Sequence, residues 1–145
     1  MSELTERTIF EHAEALRKKE YSSVQLTQAY LEQIDKKDKI IGAYITVTAD
    51  RAIESAKAFD EGRCSDSEIS PLAGIPCGIK DNMCTKGIKT TCASKMLGGY
   101  IPPYSAHVVE KLEKSGAVIL GKLNMDEFAM GSTTENSAFK VCRNP

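Results

Sequence analysis

Two stretches of this 145-residue chain place chemically capable residues where a fold could use them. The first is Gly74-Ile75-Pro76-Cys77-Gly78-Ile79-Lys80-Asp81-Asn82, in which one lysine ends a short apolar run and an Asp-Asn turn follows. A lysine drawn into an apolar strand is costly as a cation, so burial lowers its pKa and makes a neutral, basic amine accessible. A general base needs that property. The competing reading is a strand whose terminal lysine reaches solvent along its own stem, and the segment taken alone favours it. The second stretch is Gly121-Lys122-Leu123-Asn124-Met125-Asp126-Glu127-Phe128-Ala129-Met130-Gly131-Ser132. It reads as a strand-to-helix corner with Asn, Asp and Gly turn chemistry, and ligands sit at the carboxyl ends of strands in open parallel sheets. The same residues also suit a loop that only turns the chain. Lys122 is not a phosphate-loop lysine: no G-x-x-x-x-G-K-[ST] string is present, and no G-x-G-x-x-G follows a strand.

Other chemistries find less support. The five cysteines, Cys64, Cys77, Cys84, Cys92 and Cys142, form no C-x-x-C pair, and only His12 and His107 could join them at a metal. Structural zinc wants four clustered ligands at tight spacing, so no metal site is expected. The cysteines read as reduced thiols of a cytoplasmic protein, with Cys77 a small core residue. A net charge of -1 offers no basic field for nucleic acid or an anionic membrane. No apolar run nears the ~20 residues of a transmembrane helix, and no secretory signal is visible at the N-terminus.

These residues must be positioned by the elements around them. Thr8 or a neighbour can cap a helix carrying Ile9, Ala13 and Leu16, and Ser22 with Gln25 reads as a capping box for a second helix bearing Leu26, Tyr30 and Ile34. Together they predict a helical pair over residues 1–40, laid against an α/β portion over 41–145. In the latter, Ala43–Val47 is a strand, residues 50–61 a helix ended by Gly62, and residues 63–70 a loop. Pro71 then leads into the Lys80 strand, and the order strand, helix, strand predicts a parallel βαβ unit. Ser105 caps a further helix with Val108, Val109 and Leu112 on its buried face and Gly116 just past its end, and Ala117–Leu120 is a strand apolar enough to be covered on both sides. The expected class is α/β, with helices around a mixed, mostly parallel sheet.

The segments Pro71–Asn82, Lys86-Gly87 with Thr90-Thr91-Cys92-Ala93-Ser94, Ala106–Gly116 and above all Gly121–Gly131 together resemble the amidase signature family. The run Ser132–Phe139 followed by Arg143-Asn144-Pro145 is similar to its branch of glutamine-hydrolysing, ammonia-supplying subunits of tRNA-dependent amidotransferases. The resemblance implies the amidase signature fold and a Ser–cis-Ser–Lys mechanism in which Lys80 is the catalytic base. It implies that Met130, Gly131 and Ser132 line the glutamine pocket, with Gly131 letting the backbone approach the substrate. It further implies a heterotrimer with two other subunits, B and C, which convert Glu-tRNA(Gln) or Asp-tRNA(Asn) to the amidated forms. ATP and Mg²⁺ are then used on a partner subunit, with no cofactor held by this chain. The alternatives are a stand-alone amidase of the same family and a non-catalytic folding or assembly module. The family's Gly/Ser-rich segment, which carries both serines, does not occur in these residues, so the chain reads as the N-terminal part of a longer enzyme with only the lysine of the triad.

Overall fold

The computed structural model describes residues 3–62 and 70–145, so Cys64 and most of the loop expected over 63–70 lie outside the described residues. After a short 3-10 turn at Glu3–Glu6, helix α1 (Ile9–Lys18) begins at a capping box in which Thr8 and Glu11 satisfy each other's backbone amides. Helix α2 (Ser23–Ile41) begins at a second such box, Ser22 with Gln25, and closes on Gly42 in the left-handed conformation. Strand β1 (Tyr44–Val47) and helix α3 (Ala49–Gly62) follow. Strand β2 (Pro76–Lys80), helix α4 (His107–Lys114) and strand β3 (Val118–Leu123) complete the α-helices and strands among the described residues.

The three strands form one sheet in the order β1-β3-β2. Strands β2 and β3 are parallel, joined by the crossover that contains α4, whereas β1 runs antiparallel to β3. The parallel unit expected from β1, α3 and β2 is therefore not formed. Helix α3 returns the chain for β2 to lie two places away, and β3, last in sequence, takes the centre. Its burial fits the placement: Val118, Ile119, Leu120, Gly121 and Lys122 are all buried, which only a strand flanked on both edges and covered on both faces sustains.

One face of the sheet packs on α2 and α3, where Val118 and Leu120 meet Ala52 and Ala56 with Tyr30, Leu31 and Ile34. The helical pair thus shares its core with the α/β portion. The other face packs on α4, where Ile79 and Ile119 meet Val109, with Cys77, Met83 and Leu112 beside them. Cys77 is half-buried against this cluster rather than enclosed within it, and burial pushes its thiol up to about 11, away from a nucleophile's range. Helix α4 departs from expectation at its start. Ala106 occupies the N-cap with no side-chain bond, and the Ser105 hydroxyl instead accepts the amide of Lys86 at 3.0 Å.

Candidate functional site

The carboxyl ends of the parallel pair β2 and β3 emit the two loops on which the sequence places its candidate residues. Lys80 is the last residue of β2 and is exposed. Its register partner is Leu123, and Ile79 pairs with Lys122. Lys80 falls on the side of β2 opposite Ile79 and is exposed at the strand's end, as the reading of a terminal lysine reaching solvent anticipates. Its amine makes no hydrogen bond or ion pair among the described residues. The desolvation falls on Lys122 instead.

Lys122 is fully enclosed, at 0% exposure. A bulge in the β2–β3 ladder between Cys77 and Gly78 explains how a lysine comes to lie there. The pairing jumps from Ile119 to Gly121, so Lys122 faces the same side as Ile79 rather than continuing the alternation from Leu120. Its ammonium donates to the carbonyl of Met83 at 2.7 Å and to the hydroxyl of Thr90 at 2.8 Å. The carboxylate of Asp81, also 0% exposed, stands 3.4 Å away through Oδ1. Burial pushes the Lys122 amine below its ordinary value, and the facing Asp81 charge pulls it back. An amine so enclosed by three partners has no path to a substrate, so Lys122 is not a base in waiting.

Asp81 extends the cluster. Its Oδ2 accepts both the amide and the hydroxyl of Thr91, and its backbone carbonyl accepts the amide of Cys92 at 3.1 Å. Cys92 and Ala93 both have left-handed backbones, φ 52° and 53°. Their carbonyls in turn accept the amides of Phe128 and Ala138, each at 2.9 Å. Phe128 and Ala129 are left-handed as well, φ 53° and 63°, so two strained turns face one another. Such conformations in non-glycine residues persist where surroundings enforce them, and they gather at functional sites.

The second loop bears Met130, Gly131 and Ser132, all three exposed. The strand-to-helix corner expected here is instead a single 3-10 turn, Glu127–Ala129, followed by irregular chain. The carboxylate of Asp126 folds back over that chain and accepts the amides of Thr134, Asn136 and Thr133 at 2.9, 3.0 and 3.1 Å. Asn124 ties down the far end. Its amide donates to the carbonyls of Lys140 and Gly42, while its Oδ1 accepts the Ser137 hydroxyl at 2.7 Å. A Cβ at Gly131 would come within 2.5 Å of the Asp126 carboxyl carbon, so glycine is required here by the loop's own carboxylate.

The structure therefore brings the Lys80 turn and the Met130–Ser132 loop together through backbone hydrogen bonds at Cys92 and Ala93, with no side-chain hydrogen bond between Lys80 and residues 130–132. Lys80 and residues 130–132 are all exposed. A hollow of about 350 Å³ beside α3 and α4, lined by Arg51, Ser55, Phe59, Glu113 and Ile119 among others, contains none of these residues. Sequence reasoning missed the enclosed cluster of Lys122, Asp81, Thr90 and Thr91. Its one available signal was a lysine inside a run otherwise apolar enough for the centre of a sheet. Among the described residues no group of three or more His, Cys, Asp or Glu is placed to hold a metal ion, and no helix is long and apolar enough to cross a membrane.

Comparison with known proteins places the chain in a family. The family model described as Amidase matches residues 25–145. The chain is 52% identical over 145 residues, its full length, to the A subunit of glutamyl-tRNA(Gln) amidotransferase from Dehalococcoides mccartyi strain CBDB1, of which it covers 30%. It is 55% identical over 143 residues to the protein of the same name from Thermoanaerobacter pseudethanolicus, covering 99% of this chain and 29% of that one. The crystal structure of the Thermotoga maritima protein of that name superposes with a TM-score of 0.74 at 38% identity, over 97% of this chain and 28% of that one. The native peptide amidase of Stenotrophomonas maltophilia superposes with a TM-score of 0.80 at 32% identity, over 90% and 27%. The chain thus spans about 30% of the length of the curated relatives it matches. Family model, relatives and fold agree: these 145 residues belong to the amidase family.

Proposed function

We propose that the chain forms part of the glutamine-hydrolysing subunit of a tRNA-dependent amidotransferase, with Lys80 as its catalytic base. The observation that carries this reading is identity above 50% along the whole chain to proteins named as the A subunit of glutamyl-tRNA(Gln) amidotransferase. Glutamine is hydrolysed here, and the ammonia passes to a partner that uses ATP and Mg²⁺ to amidate Glu-tRNA(Gln) or Asp-tRNA(Asn). The B and C subunits complete the heterotrimer. The nucleophilic serine and the bridging cis-serine lie in the remainder of a family-length chain. Lys80, open to one side at the end of β2, is covered by that remainder and takes the serine proton through the bridging residue, the nucleophile-and-base logic of other serine hydrolases. Met130, Gly131 and Ser132 form a wall of the amide pocket.

The test uses a family-length enzyme carrying this segment. Lys80→Ala abolishes ammonia release from glutamine while the protein still assembles with its partners. Lys80→Arg fails as well, because a guanidinium stays protonated and cannot act as base. Glutamine turnover at the unsubstituted rate by Lys80→Arg overturns the assignment of Lys80. The likeness to peptide amidase supports a second reading, a stand-alone amidase of the same fold. A wild-type enzyme that hydrolyses simple amides but not glutamine selects it.

A further inference from the structure

We propose that Lys122 is a positioning residue of the candidate site: its enclosed ammonium holds the turn after Lys80 and, through Asp81, the loop that presents Met130–Ser132. The proposal rests on the amide-hydrolysis reading for its kinetic consequences, while its structural consequence stands without it. The three partners of the ammonium, Asp81, Met83 and Thr90, all belong to the segment that leaves β2 directly after Lys80. Removing the ammonium releases that turn at three points. The release propagates along hydrogen bonds that exist in the structure. Asp81 holds Thr91 and Cys92, and the carbonyls of Cys92 and Ala93 hold the amides of Phe128 and Ala138.

The left-handed turns at Cys92–Ala93 and Phe128–Ala129 make this link sensitive, because neither would keep its conformation once its surroundings loosened. The lysine and the carboxylate are also the form this anchor must take. The site lies at the edge of a core, where a neutral partner would leave the Asp81 carboxylate without a balancing charge. A lysine supplies three donors on a long stem that reaches from the central strand to the loop above it.

The experiment compares Lys122→Met, the double variant Lys122→Met with Asp81→Asn, and Thr90→Val, in a family-length enzyme below the unfolding temperature of each. Lys122→Met alone leaves a buried carboxylate without its cation and loses stability. The double variant removes both charges and recovers stability. If Lys122 matters only for stability, activity returns with it. If it positions the site, kcat/KM stays at least about tenfold down in the double variant, since small misplacement of a reacting group costs up to about a hundredfold. Thr90→Val removes one of the three anchors and also leaves the Ile88 carbonyl without its donor, so it is expected to lower kcat/KM several-fold and Tm by a few degrees.

Hydrogen exchange is the second measurement and needs no substrate. The amides of Phe128 and Ala138 are expected to exchange at least about tenfold faster in the double variant and in Thr90→Val, while the strand amides of β3 stay protected. Should wild-type enzyme release no ammonia from glutamine, the proposed function fails while the exchange result still decides the role of Lys122. Unchanged exchange at Phe128 and Ala138, or a folded double variant with wild-type kcat/KM on whichever amide the enzyme hydrolyses, overturns the proposal.

Discussion

Hydrogen bonds from the amides of Asn136, Thr134 and Thr133 hold the carboxyl of Asp126 below its ordinary value of 3.8. A carboxyl depressed in the folded state contributes stability that is present above the unfolded value and lost as pH falls through the folded one. The loop carrying Met130–Ser132 is therefore expected to keep its structure from neutral pH down to about 4 and to loosen below it. Exchange of the Thr133, Thr134 and Asn136 amides measures this, and Asp126→Asn should remove the acid-dependent part. Gly131 belongs to the same arrangement. A side chain at 131 meets the Asp126 carboxyl before it meets any substrate, so Gly131→Ala should speed exchange at those amides in ligand-free protein. Unchanged exchange in Gly131→Ala would return the glycine to the substrate-approach role expected from sequence. At this scale the reading of Lys80 as a strand-terminal lysine reaching solvent matches its exposure, whereas the sequence does not by itself mark Lys122 as the enclosed lysine. Lys80 and Lys122 each end or interrupt an apolar run, and what separates them is a bulge at Cys77–Gly78 whose effect on facing is invisible in a period-two pattern.

Helix starts are legible because capping is local chemistry. Thr8–Glu11 and Ser22–Gln25 form the reciprocal boxes that their spacing implies. The α2 box has further support, since the carboxylate of Asp60 on α3 accepts the amides of Ser23 and Val24 at 2.9 and 3.0 Å. Ser22→Ala is expected to cost about 1 kcal/mol, which for a domain of this size lowers Tm by roughly 3–5 °C. Ser105→Ala, by contrast, should leave α4 intact, because that hydroxyl serves Lys86; circular dichroism and thermal melting of the two variants separate the cases. Strand direction is not legible. A strand–helix–strand order is compatible with either sense for β1, and the choice is made by β3, whose apolar start at Val118–Leu120 claims the centre and leaves β1 an antiparallel edge. The turn residues after β3 are compatible with entry into a helix, but Phe128 and Ala129 leave the helical region as the chain turns toward Cys92.

On the scale of the molecule, β2 keeps an unpaired edge, and large apolar side chains stand in the open, with Met96 at 85% and Phe10 at 80% exposure. Free edges and uncovered apolar surface drive association. The isolated 145-residue chain is accordingly expected to self-associate. A monomeric sedimentation profile with a sharp thermal transition would show that these residues stand alone as a domain. The strand order has a consequence for biosynthesis. A ribosome delivers β1, α3 and β2 before it delivers β3, yet β1 and β2 are not neighbours and each depends on β3 for its ladder. The nascent chain must carry two unpaired strands past residue 114 before any sheet exists, and pairing then closes over long sequence separations at once. Ribosome-bound chains halted before Val118 should be cut readily by protease within β1 and β2, and chains halted well after Leu123 should resist.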